Sequence, residues 1–109
     1  MIIQLNADKN LAIHEAGGDA NKKHLTDELS RYSKHIFRLD VHLADENGIK
    51  EGFNNIRCMI EAHQEGRSAV VVTHIADTVD QSIHGAIEKM QHALASLVRG
   101  KRKRIATIE

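Results

Sequence analysis

Two hydrophobic periods alternate along the chain. Ile3 and Leu5 are separated by Gln4 and Asn6, a period of two that predicts a short first strand. Residues 7–18 show no period and close on Gly17-Gly18, so they read as a loop. Asp19 then suits the N-cap of a helix running to about His35. Leu25, Leu29, Tyr32 and Ile36 recur at i, i+4, i+7 and i+11 on one face of it. Lys23, Asp27, Arg31 and Lys34 fall on the other.

The period returns to two at Phe37, Leu39, Val41 and Leu43, which alternate with Arg38, Asp40, His42 and Ala44. Residues 44–52 are acidic and contain glycine, as an exposed loop does. Ile56, Cys58, Ile60 and Ala62 alternate with Arg57, Met59, Glu61 and His63 as another half-buried strand. Glu65-Gly66-Arg67 makes a tight connection to a strand over 68–75, whose valines occupy both faces and leave its buried side open. Thr78 and Gln81 fit a capping box for the last helix. Val79, Ile83, Ala86, Ile87, Met90, Leu94, Leu97 and Val98 form its apolar stripe, and Gly100 is placed to end it.

The order is β-α-β-β-β-α, an α+β two-layer fold with a four-stranded mixed sheet. A right-handed crossover makes the first two strands parallel. The remaining strands follow as antiparallel neighbours. Each strand has one apolar side, so both helices must cover the same face. Leu39, Val41, Ile56, Ile60, Ile83, Ile87 and Leu94 are therefore expected in the core. Arg38, Asp40, His42, Arg57, Met59, Glu61 and His63 are expected on a wet face.

At 109 residues with 41% hydrophobic content the chain suits one packed domain, divided as 1–100 with a basic tail over 101–109. No apolar run approaches the roughly 20 residues of a membrane span, and no secretory signal is evident, so a cytoplasmic location without membrane contact is expected. Fifteen basic and 15 acidic residues cancel in total but not in place. Residues 1–98 hold 10 basic and 14 acidic side chains, whereas 99–109 hold five basic and one acidic. An acidic body with a basic end suggests an anionic partner.

Few residues suggest catalysis. Cys58 lies in the inward register of its strand without an activating partner, as a buried inert thiol would. The acidic pair Asp45-Glu46 sits in a loop. Eight histidines lack a metal-binding spacing; His42 and His63 share a strand face but no third ligand is evident, so no metal and no cofactor is expected. On the last helix Gly85, Lys89, His92, Ser96 and Arg99 recur at helical spacing opposite the core. Gly85 reads either as a point of close approach or as a tolerated surface glycine, the second being favoured. The stripe leads into Lys101, Arg102, Lys103 and Arg104, a cationic ridge able to track phosphates. Scarce aromatic residues argue against recognition by base stacking and favour a folded RNA read by backbone and shape.

The segment AVVVTHIADTVDQSIHGAIEKMQHAL (69–94) resembles the end of the ribosome hibernation promoting factor family, which includes ribosome-associated inhibitor A and the sigma modulation proteins. Ile87-Glu88-Lys89-Met90 occupies that family's aliphatic-acidic-lysine-aliphatic step. VHLADENGIKEGFNNIRCMIEAH (41–63) is similar to its middle strands. The resemblance implies a fold similar to double-stranded-RNA-binding domains. It also implies a non-enzymatic regulator that binds small-subunit rRNA in the mRNA and tRNA channel and blocks translation under stress. No small-molecule substrate is implied, and a short form is expected to be a monomer off the ribosome. Lys89 matches the family's lysine directly, and Lys23, Arg31 and Lys34 match as basic residues of the first helix. Together with Arg99, Lys101, Arg102, Lys103 and Arg104, and with His92 when protonated, they are the expected RNA contacts. Family members carry further cations along the second helix, where this chain has His92, Ser96 and Val98. Two alternatives stay open: a protein-interaction module using the exposed sheet face, and a histidine-based metal-binding protein.

Overall fold

A computed structural model describes residues 1–8, 18–45 and 55–107, with side chains described outside 18–19 and 98–107. The order is β1 (Ile2–Ala7), α1 (Gly18–Leu29), a 3-10 turn (Ser30–Tyr32), β2 (Arg38–Asp45), β3 (Ile56–His63), β4 (Val70–Ala76) and α2 (Val79–Thr107). The strands lie in the order β1-β2-β3-β4. β1 runs parallel to β2, and the other neighbours are antiparallel. This is the expected β-α-β-β-β-α architecture. Most of the loops expected over 7–18 and 44–52 lies outside the described residues.

The alternation in β2 and β3 buries Leu39, Val41, Leu43, Ile56, Cys58, Ile60 and Ala62 against the helices. Leu25 and Leu29 of α1 and Ile83, Ala86, Ile87, Met90 and Leu94 of α2 close the core from the same side. Every residue expected at its centre is there. Each buried Leu or Ile contributes about 1.5–3 kcal/mol, so the layered packing dominates stability. The two helices are tied directly. Gln91 Nε2 donates to the Glu28 carbonyl at 3.0 Å, and the His24 and His84 rings lie 4.5 Å apart.

Four expectations need correction. α1 stops at Leu29 and tightens into the 3-10 turn instead of continuing to His35. Ser30 lies at that change, its hydroxyl donating to the Asp27 carbonyl at 3.2 Å, and serines favour such local bonds over helix continuation. Phe37 precedes β2 and is exposed, while Ile36 takes the buried place. Asp40 is buried on the face expected to be wet, and its neighbours there are half-buried, because long cross-strand side chains cover one another. α2 does not end at Gly100 but continues to Thr107. A mid-helix glycine costs about 1 kcal/mol, which the flanking Lys and Arg, good helix formers, tolerate with no proline to stop them.

The open question about β4 is answered by its packing. Val70 and Val72 face the core, while Val71 and Ile75 are exposed. The connection from β3 turns through Gly66, whose φ of 70° lies in the left-handed region that suits glycine. Thr78 caps α2 as expected, its Oγ1 accepting from the Gln81 N–H at 3.1 Å.

Candidate nucleic-acid interface

The expected RNA contacts sort into a helical surface and a helix end. Lys23 on α1, Arg31 in the 3-10 turn, Lys34 just after it, and Lys89 and His92 on α2 are all exposed. Because α1 and α2 pack side by side on one sheet face, these residues stand on a shared helical layer. Arg31 also lies over the Tyr32 ring, 5.9 Å from its centroid, which steadies its guanidinium without neutralising it. Arg99, Lys101, Arg102, Lys103 and Arg104 belong to the last turns of α2. Their side chains lie outside the described ones.

Lys89 is already engaged. Its Nζ donates to the Thr73 carbonyl at 2.8 Å. β4 is an edge strand, so the ammonium satisfies a backbone acceptor that no further strand pairs. Gly85, one turn earlier, is half-buried and not a surface glycine. His74, inward-facing on β4, lays its ring on the helix there, and a Cβ at position 85 would overlap that ring. The sequence carried a faint signal of this, since His74 sits in the same alternate row as Val70 and Val72. The two valine faces of the strand hid it.

The open sheet face holds an ion network that residue spacing did not reveal. Asp40 and Glu61 are direct cross-strand partners. Asp40 Oδ2 lies 3.0 Å from His63 Nε2 and 3.2 Å from Arg38 Nη2. Glu61 Oε1 lies 3.5 Å from His42 Nε2 and 3.8 Å from His63 Nε2. Glu61 thus stands between the two histidines expected to approach each other. Asp40, Glu61 and His63 form a donor set of a kind that could hold a metal ion. Arg38 already supplies a cation at the same Asp40 oxygen, and the carboxylates are shared among nitrogen partners within the network. Cys58 is buried, and desolvation pushes its thiol up to about 12, which makes it a poor nucleophile.

Taken together, the layers define a small α+β domain with exposed basic groups on its helical side. Residues 11–103 match the family described as Sigma 54 modulation protein / S30EA ribosomal protein, and the chain belongs to that family. It is thereby a ribosome-associated factor of the hibernation and modulation type. Fourteen solved chains match it. One is the crystal structure of the Thermus thermophilus Protein Y N-terminal domain, with a TM-score of 0.61 and 19% identity over 85% of this chain and 94% of that one. That likeness shows the same fold. Among curated proteins none matches. No helix among the described residues is long and apolar enough to cross a membrane.

Proposed function

We propose that the protein binds small-subunit rRNA in the channel used by mRNA and tRNA and silences translation under stress. The observation that carries this reading is family membership over residues 11–103. The exposed cations of the helical layer and the basic run that ends α2 support it. Occupying the channel excludes mRNA and tRNA sterically, so the mechanism needs no catalytic residue and no cofactor. Lys23, Arg31, Lys34 and Lys89 meet phosphates across the helical layer, with His92 joining them when protonated. Arg99, Lys101, Arg102, Lys103 and Arg104 extend the contact beyond the core. An acidic body then orients the molecule, basic end towards RNA. The protein acts as a monomer in the cytoplasm.

Co-sedimentation with small ribosomal subunits at low salt tests this reading. Wild type should pellet with the subunit and inhibit translation of a reporter mRNA in a reconstituted system. A variant with all five cations of 99–104 replaced by Gln should lose most binding. Binding retained by that variant would move the contact away from the end of α2, onto Lys23, Arg31, Lys34 and Lys89 of the helical layer.

A further inference from the structure

Scarce aromatic residues argue against base stacking when only the sequence is counted. The fold concentrates those it has. Two of the three, Tyr32 and Phe37, line one cavity of about 650 Å³, a size that suits a small-molecule moiety. It lies where the start of β1, the turn before β2 and the β3–β4 connection meet α2, and Leu94 and Leu97 form its helical wall. Phe37 is 48% exposed, and Met1 and Ile2 on the same lining are exposed too. Three of the large hydrophobic residues left in water therefore sit together, a grouping that marks a binding surface better than scattered ones would.

The rim is cationic. Lys34 and Arg67 line the cavity, both exposed and neither engaged in an ion pair among the described residues; Glu65 is the acid beside them. Past Leu97 the backbone of α2 continues to Thr107, so the basic run 99–104 follows within two turns. Exposed aromatic and aliphatic surface with cations beside it matches a nucleotide, which offers a π-face and a phosphate. An apolar peptide would leave Lys34 and Arg67 without partners.

We propose that this cavity takes one unpaired nucleotide of the bound RNA, its base against Phe37 and its phosphates held by Lys34 and Arg67. This rests on the rRNA-binding reading and names what the RNA must offer, a base out of its stack. Every base has a π-face, so the cavity tolerates any sequence.

The test compares binding of the 109-residue chain to two labelled RNA hexamers of equal charge at low salt. One is hexaadenylate and the other its abasic ribose-phosphate counterpart. Hexaadenylate should bind at least about 5-fold tighter. It should also quench Tyr32, the single tyrosine of a chain without tryptophan. Phe37→Ala, at an exposed position and checked for folding by circular dichroism, should erase the preference while leaving abasic binding unchanged. Phe37→Tyr should keep it. Arg67→Gln should weaken both hexamers alike. Equal binding of the two hexamers by wild type, or a preference that survives Phe37→Ala, overturns the assignment. Wild-type co-sedimentation with ribosomes separates the two readings. If wild type pellets but the hexamers bind alike, the cavity assignment fails alone. If wild type does not pellet, the rRNA reading fails with it.

Discussion

Gly85 shows how one residue's worth can change sign with its surroundings. In an exposed helix, Gly→Ala gains about 1 kcal/mol. Here the His74 ring occupies the space the methyl would take. Gly85→Ala should instead lose about 1–3 kcal/mol in urea unfolding, as overpacking does. Removing the ring should restore the gain, so His74→Ala with Gly85→Ala should be more stable than His74→Ala alone. A double-mutant cycle measures that coupling, and additive effects would mean the ring is free to move aside. Cys58 offers a second residue-level check. Its thiol is raised from 9.0 to about 12 by burial. The unfolded chain therefore loses its proton first as pH climbs. The stabilisation from keeping the thiol neutral is complete below about pH 9 and drains away between there and about pH 12. At pH 8 a thiol reagent should label native protein far more slowly than urea-unfolded protein. Comparable rates in both states would contradict the burial.

The elements differ in how plainly the sequence announces them. α2 is announced best, because a stripe from Val79 to Leu94 repeats at helical spacing and the core requires all of it. Leu94 is 1% exposed between the helix and the sheet layer. Leu94→Ala should cost about 2–5 kcal/mol in chemical denaturation, and a loss of a few tenths would show that the core closes without it. β2 and β3 were as legible, since Leu39 to Leu43 and Ile56 to Ala62 alternate without a break. β4 was not, because Val71 and Val72 are equally apolar and only the helix above the sheet decides which is covered. The end of α1 and the passage of α2 through Gly100 were misread for a related reason. Local propensities near Ser30 and Gly100 differ from their alternatives by about 1 kcal/mol or less, too little to fix a boundary. Candidate contacts were legible as charge, since Lys23, Arg31, Lys34 and His92 all reach the surface. Their neighbours were not. Lys89 binds the Thr73 carbonyl because α2 folds back over β4, and the stretch from Tyr32 to Phe37 lines a cavity only because the start of β1, the β3–β4 connection and α2 close around it.

At the scale of the whole molecule, charge separation governs how RNA binding must respond to salt. Residues 1–98 carry 14 acidic and 10 basic side chains, and 99–109 carry one acidic and five basic. A body with net charge −4 is repelled by phosphate at long range, so the approach is directed by the end of α2. Four to five phosphate contacts there release about as many counterions. At about −0.7 to −0.9 per contact, these contacts alone should lower log affinity by roughly 3 to 4.5 per decade of salt, and the helical-layer cations add to that. Raising salt from about 50 to 200 mM should then weaken subunit binding on the order of 50- to 500-fold through the end of α2 alone. Replacing Arg99, Lys101, Arg102, Lys103 and Arg104 by Gln keeps good helix formers in place while removing those charges. The variant should match wild type in chemical denaturation, since the core residues of α2 among the described side chains run from Ile83 to Leu94 and none of them is replaced. Its salt slope should shrink to what Lys23, Arg31, Lys34 and Lys89 supply across the helical layer, and its affinity at low salt should drop with it. Salt-dependent co-sedimentation of the two proteins gives both slopes. Parallel slopes would show that the basic end of α2 meets no phosphate, leaving the helical layer as the whole of the electrostatic contact.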